Sequence, residues 1–169
     1  MKRELITTSD GSHSYLVSEL HETYHSKHGA ISEAKHVFIK NGLLSTSKTE
    51  LNILEIGFGT GLNVLLTKQY AEEYNLNVYY QTLEPFPLTQ NEFLNLNFTD
   101  ILNCNKNNLI QSNECNWGKE IKISVNFIFI KNNILVQYFE SKKKYDLIYF
   151  DAFAPKKQAE IWSVNVLKK

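Results

Sequence analysis

The sequence predicts an α/β protein built on a Rossmann-like parallel sheet. Three observations lead there. Short apolar segments that read as strands alternate with stretches of helical periodicity. The first of these strands runs into a glycine-rich turn, Gly57-Phe58-Gly59-Thr60-Gly61, that opens a helix. The second and fourth strands each close on an acid, Glu84 and Asp151. Strands separated by helices return parallel, because a parallel return needs a long crossover. Right-handed crossovers then set a ligand crevice at the carboxyl ends of the strands, where the strand order reverses.

Residues 1–30 read as extended or irregular, with Asp10-Gly11 a turn signal. Ser32 is a candidate N-cap for a helix through Ile39, with Ala34, Val37 and Phe38 on one face and Gly42 at its end. Leu51–Ile56 is the first strand of the alternating part. A helix comes next over Gly61–Tyr74, carrying Leu62, Leu65, Leu66 and Tyr70 at helical spacing. Val78–Leu83 is the second strand, and Pro87–Leu96 the second helix. Residues 99–120 are rich in asparagine and predict an irregular connection with a short helix at Ile101 or Leu109. Ile121–Ile130 is β-branched and aromatic, a third strand or a hairpin. Ile134–Glu140 reads as a short helix, Tyr145–Phe150 as the fourth strand, and Gln158–Leu167 as a last helix.

Composition narrows the function. A chain of 169 residues has room for one ordinary core. An apolar fraction of 43% with 21% charged residues is that of a globular domain. Eighteen basic and eighteen acidic residues cancel, which argues against nucleic-acid binding through bulk charge alone. No apolar run approaches the ~20 residues of a membrane helix, and the start lacks the apolar core of a signal peptide. We therefore expect a soluble, cytoplasmic protein without membrane contact. Cys104 and Cys115 are too few for a disulfide framework and lack the paired spacing of a zinc site.

The glycine turn is the strongest chemical signal. Glycines remove Cβ atoms, so the backbone turns tightly and approaches a ligand closely. The start of the helix offers free N–H groups. The spacing is G-x-G-x-G, and the third glycine of the dinucleotide pattern is replaced by Leu62. That shift favours S-adenosylmethionine over a nicotinamide dinucleotide, since a carboxylate and no pyrophosphate must be met. Glu84 lies 27 residues after Gly57, at a strand end where a carboxylate can accept both ribose hydroxyls. Asp151 projects from the fourth strand toward the same crevice, and Phe153 stands two residues on as a stacking aromatic. A carboxylate there can orient an amine acceptor and take its proton.

Two other features have bland readings. His21-Glu22-Thr23-Tyr24-His25 matches the H-E-x-x-H zinc-protease pattern, which would need a helix to bring His21 and His25 to one face with Glu22 as base. The segment has no apolar periodicity, and His28-Gly29 cuts it short, so we read a chance match and expect no metal. Lys142-Lys143-Lys144 reads as a solvated face. Lys156 and Lys157 lie near the crevice, where they could meet phosphates, and Lys168-Lys169 ends the sequence.

Three blocks resemble the methyltransferase domain of the tRNA 5-methylaminomethyl-2-thiouridine biosynthesis family, and most closely its stand-alone form. They are Asp10-Gly11-Ser12 through Tyr24–Ala30 to His36–Ile39, then Leu54–Asn63 with Leu83–Leu88, then Phe150–Trp162. The resemblance implies a class I methyltransferase sheet. It implies methyl transfer from S-adenosyl-L-methionine to the aminomethyl nitrogen of a modified wobble uridine in tRNA. Glu55, Gly57, Gly59 and Gly61 would line the donor, Glu84 would hold its ribose, Asn132 would accept from the adenine amine, and Asp151 would be the catalytic residue. Phe153 and Lys156 would meet the substrate. Residues 1–48 would form an extension and helix covering the site, and 49–169 the donor-binding domain. The family pattern departs at Lys131-Asn132, where Gly-Asp is usual, and at Ala159 and Ile161, where Pro and Met are usual. Members continue past Trp162 with further strands, so we expect a sheet that lacks its C-terminal strands and a fourth strand left as an edge open to self-association. Two rival readings remain beside this one: an inactive donor-binding or regulatory remnant, and a zinc hydrolase on His21, Glu22 and His25.

Overall fold

The computed structural model describes residues 1–168, so Lys169 of the terminal lysine pair lies outside the described residues. Three antiparallel strands come first: β1 (Arg3–Thr7), β2 (His13–Val17) and β3 (Glu22–Thr23), in the order β1-β2-β3. The Asp10-Gly11 turn joins the first two, with Thr7 opposite His13. The turn is where the sequence predicts it, and the extended reading of residues 1–30 is met by three paired strands.

The Asp10 carboxylate ties this hairpin to the first helix. It accepts from the Ser12 amide and hydroxyl, from the Thr8 hydroxyl, and from the Ser32 amide and hydroxyl. Although burial works against it, these donors hold its carboxyl well below the usual carboxylate range. Ser32 is thus not the N-cap. The helix α1 (Ala30–Ala34) begins two residues earlier, after Gly29, and Asp10 satisfies its first turn from outside. A π-helical turn over Lys35–Lys40 continues it. The wider turn shifts the register, so Ile39 is buried and Val37, expected on the inner face, is 46% exposed.

The main sheet contains β4 (Glu50–Ile56), β5 (Asn77–Leu83), β6 (Ile121–Ser124), β7 (Phe127–Asn132) and β8 (Leu147–Phe150) in the order β6-β7-β5-β4-β8. Strands β4, β5, β7 and β8 run parallel, and β6 pairs antiparallel with β7 as a hairpin. The order reverses between β4 and β8, which fixes the crevice beside the glycine turn. Among the described residues β8 pairs only with β4, and Ile148 on it is 60% exposed.

Helix α2 (Leu62–Glu73) crosses back from β4 and buries Leu62, Leu65 and Leu66 against Leu51, Ile53, Val78 and Tyr80. The opposite face of the sheet carries a smaller cluster of Leu54, Ile56, Leu83, Val136, Ile161 and Val166. Alternation along β4 therefore sends Leu51, Ile53 and Glu55 to one face and Leu54 and Ile56 to the other.

Several helices are shorter than the periodicity suggests. Helix α3 (Gln90–Leu94) starts three residues late because Thr89 and Glu92 form a reciprocal capping box. The asparagine-rich stretch contains α4 (Phe98–Ile101) and α5 (Lys106–Glu114), the latter capped by the Asn105 side chain. In place of a helix over 134–140 there is one 3-10 turn, Val136–Tyr138. The last helix is split: a 3-10 turn over Ala159–Trp162, an extended Ser163, then α6 (Val164–Leu167). The Trp162 indole N–H donates to the Phe153 carbonyl at 2.8 Å and its ring packs on Phe150 at 4.4 Å, which holds that turn against the sheet. No helix among the described residues is long and apolar enough to cross a membrane.

Candidate active site

One cavity of about 930 Å³ opens at the carboxyl ends of β4, β5 and β8. That is the upper part of the ~300–1,000 Å³ range of small-molecule clefts. Gly57, Gly59, Glu84, Asp151 and Phe153 all line it. The N-terminal sheet supplies a wall through Glu22, Tyr24 and His25, and the connection after β7 supplies another through Ile134 to Tyr138. Five carboxylates (Glu22, Glu33, Glu84, Asp151 and Glu160) reach the lining, and no described lysine or arginine does. The lining therefore suits a ligand with positive charge.

The glycine turn is held from three sides. Gly57 sits at φ +95°, and a Cβ there would collide with the Asp151 carbonyl oxygen. Its N–H donates to the Leu83 carbonyl at 3.0 Å, and the Asp151 N–H to the Ile56 carbonyl at 2.9 Å. The ends of three strands are thereby stitched together. The Glu84 carboxylate accepts from the Gly59 N–H at 2.8 Å and from the Phe86 N–H at 2.7 Å. Each oxygen keeps a lone pair for another donor. Burial pushes the Glu84 carboxyl up, and the two backbone bonds oppose that.

His25 Nε2 lies 2.7 Å from Thr60 Oγ1, so the N-terminal sheet grips the turn itself. Arg3 extends that grip: Nε donates to the Tyr24 hydroxyl at 3.0 Å and Nη1 to Glu92 Oε2 at 3.1 Å. Tyr24 meets Phe153 edge to face with centroids 5.4 Å apart. Burial holds His25 down at about 4, so it is neutral near pH 7. The unfolded chain takes up that proton near 6.5, the folded chain near 4. Stability is thus intact above 6.5 and falls as the pH drops from 6.5 toward 4. His25→Gln is expected to flatten the melting temperature against pH across that window. A slope equal to the parent's would refute the assignment.

Four residues that the sequence assigns to the site do not reach the cavity. Glu55 is fully buried on the α2 face of β4, where it accepts from Asn63 Nδ2 at 3.1 Å and from the Thr82 hydroxyl at 2.7 Å. Burial pushes its carboxyl up to about 8. It lies behind the glycine turn, because alternation with Leu51 and Ile53 points it into the core. Gly61 is the left-handed N-cap of α2, and a Cβ there would meet the Phe58 ring at 3.0 Å and no lining space. Asn132 turns aside, its Oδ1 accepting from Gln81 Nε2 at 2.7 Å, and it lines a separate shallow hollow with Trp117 and Phe139. Lys156 is exposed beyond the rim, and the neighbouring Lys157 donates to the Leu20 carbonyl at 2.6 Å.

The H-E-x-x-H segment is not helical. Glu22 and Thr23 form β3, His21 has a positive φ of 52° and is exposed, and His25 is buried against Thr60. The shared helical face that zinc ligation would need does not exist. Among the described residues no cluster of three or more His, Cys, Asp or Glu could hold a metal.

Asn63 is a site residue to which the sequence assigns no role, although it ends the Leu54–Asn63 block. It opens α2, is 2% exposed, and its Nδ2 donates both to Glu55 and to Asp151 Oδ2, the latter at 2.8 Å. Burial pushes the Asp151 carboxyl up to about 7, with Asn63 pulling it back and Glu33 adding to the rise. An acid poised near neutral pH beside a cleft is suited to proton transfer. A weaker signal does exist: a polar residue at the buried first turn of a helix, next to a glycine turn, needs a partner.

The model of a family described as S-adenosyl-L-methionine-dependent methyltransferase matches residues 105–169. The chain is 31% identical over 162 residues to the tRNA 5-methylaminomethyl-2-thiouridine biosynthesis bifunctional protein MnmC of Leptospira interrogans, covering 87% of this chain and 25% of that protein. The protein of the same name from Leptospira borgpetersenii is 28% identical over 160 residues, with 86% and 24% covered. The crystal structure of MNMC2 from Aquifex aeolicus superposes with a TM-score of 0.73 at 24% identity, covering 98% of this chain and 55% of that one. The chain thus spans about a quarter of the length of the curated MnmC relatives it matches. Fold, family match and identity over most of its length make this chain a relative of the S-adenosyl-L-methionine-dependent methyltransferases, and S-adenosyl-L-methionine is the cofactor of that family.

Proposed function

We propose that this chain binds S-adenosyl-L-methionine in the cavity and transfers its methyl group to the aminomethyl nitrogen of a modified wobble uridine in tRNA. One observation supports this most: Asp151, poised near neutral pH, shares a single cleft with the Gly57 turn and Glu84. The residues fit the donor. Gly57 lets the turn close against the Asp151 backbone at the cleft floor, Glu84 keeps lone pairs for ribose hydroxyls, and the acidic lining favours a sulfonium. When bound, the donor supplies an electrophilic methyl carbon. Tyr24 and Phe153 flank the acceptor base, and Asp151 orients the amine and takes the proton that its nitrogen must shed. Residues 1–48 form the wall that covers this site, and Lys156, exposed beyond the rim, is free to meet backbone phosphates.

The test is thermal denaturation with S-adenosylhomocysteine. At a hundredfold excess over Kd the ligand stabilises by about 2.7 kcal/mol, which is expected to raise the melting temperature by several degrees. No shift at millimolar ligand would overturn the donor site. Incubation with labelled donor and tRNA lacking the terminal methyl then separates an enzyme from a donor-binding remnant.

A further inference from the structure

We infer that Asn63 is the positioning residue of this site: its amide bridges the buried Glu55 carboxyl and the Asp151 carboxylate, and so sets where Asp151 points and at what pH it ionises. The inference rests on the proposed role of Asp151. Its geometry stands apart from that role.

Both bonds come from one nitrogen. Asn63 Nδ2 donates to Glu55 Oε1 at 3.1 Å and to Asp151 Oδ2 at 2.8 Å. The amide oxygen on the other side is buried with no hydrogen-bond partner among the described residues. A buried carbonyl left unpaired is costly, so this orientation is worth holding only if the two carboxyls repay it. Glu55 cannot move to release the amide. It is fully buried, and its other oxygen accepts from the Thr82 hydroxyl of β5 at 2.7 Å. The chain Thr82–Glu55–Asn63–Asp151 thus runs from the centre of the sheet to the cleft wall.

Charge explains why the bridge is an amide. Two carboxyls on one donor cannot both ionise cheaply in a dry pocket. Burial keeps Glu55 protonated to about 8, which leaves Asp151 as the group that gains or loses its proton near neutral pH. The other ionisable groups acting on Asp151 are also acids: Glu33 from α1, whose carboxylate accepts from the Ser26 N–H at 2.7 Å, and the buried Tyr80 phenol of β5 beyond Glu55. Glu33 opposes ionisation of Asp151, while Glu55, still protonated there, carries no charge against it. The Asn63 amide favours it, and no described lysine or arginine lines the cleft to do the same. A cation in place of the Asn63 amide would favour the Asp151 carboxylate further, and an apolar side chain there would favour the acid.

The experiment is Asn63→Leu, close in volume and without a donor. The first readout is the titration of Asp151 in the free protein, followed by carbon NMR of labelled carboxyls, with Asp151→Asn identifying the resonance. The midpoint is expected to rise by roughly one pH unit, since a charge-assisted hydrogen bond is lost. The second readout is catalytic. The rise of kcat with pH is expected to move to higher pH, and kcat at pH 7 to fall about fivefold as the ionised fraction of Asp151 drops, with S-adenosylhomocysteine affinity held within about threefold. If Asn63→Leu does not fold, Asn63→Ser, shorter and able to reach only one carboxyl, is expected to shift the midpoint in the same direction. Asn63→His, which restores an N–H donor, is expected to recover part of the shift. An Asp151 midpoint equal to the parent's, or a loss of ligand affinity as large as the loss of kcat, would overturn the inference. Failure of the parent itself to bind S-adenosylhomocysteine would instead overturn the functional reading, and the titration would still decide the bridge.

Discussion

Asp151→Asn is expected to lower methyl transfer roughly 10²–10⁴-fold while leaving S-adenosylhomocysteine affinity within a few-fold. The replacement keeps the shape and an oxygen that accepts from Asn63, so the wall of the cleft stays in place. It removes only the ability to take a proton. The same change has an opposite effect on stability. In the unfolded chain an aspartate ionises at 3.8, and in the fold Asp151 ionises at about 7. The folded state therefore holds a proton that the unfolded state has lost, and stability falls as the pH rises through that window. The amide has no such cost. The Asp151→Asn protein is expected to melt above its parent at pH 8, with the gap closing as the pH approaches 4. Partial exposure of Asp151 to the cleft limits its size. An inactive protein that is more stable at alkaline pH is the signature of an acid kept under strain for function. Equal activity, or a lower melting temperature at pH 8, would refute the role.

The sheet is legible in the sequence because its strands are short, apolar and punctuated. Leu51–Ile56 and Val78–Leu83 lie within the observed β4 and β5, and Ile121–Ile130 resolves into the hairpin β6–β7. The N-terminal sheet is not legible. Arg3–Thr7 is exposed on most of its residues and has no apolar face, since its grip is made by hydrogen bonds from Arg3 and by the Asp10 turn. Tertiary polar contacts of that kind leave no periodicity. The same limit applies at the site. Gly57, Gly59, Glu84 and Asp151 stand at strand ends, where topology alone points them to the cleft. Glu55 needs one more step: alternation with Leu51 and Ile53 sends it inward, away from any ligand. Asn132 is lost to the cleft for a different reason. Its neighbour Gln81, itself held by the Tyr145 hydroxyl at 2.6 Å, captures it from the adjacent strand, and no local pattern reports a partner 51 residues away.

Gly57→Ala is expected to be the most damaging of the glycine-to-alanine changes in this chain. The position combines a left-handed backbone with the closest approach that an added Cβ would make at any of the glycines, so both strain and collision act at once. A side chain at φ +95° costs on the order of 1–3 kcal/mol before any contact is counted. The added carbon then meets the carbonyl of Asp151, which is backbone and cannot rotate away. Relief requires β8 to move from β4, and that movement breaks the bond from the Asp151 N–H to the Ile56 carbonyl that sets the cleft. Together these are expected to lower stability by about 3 kcal/mol, or roughly 10 °C in melting temperature, and to abolish ligand-induced stabilisation by S-adenosylhomocysteine. Gly59→Ala is the informative contrast. Its Cβ would meet only the Tyr24 ring at 3.0 Å, a side chain and not backbone. The fold is then expected to survive with a smaller loss of stability and a cleft narrowed at Tyr24. If Gly57→Ala melted with its parent and still responded to ligand, the contact between the turn and the fourth parallel strand would not be what shapes the site.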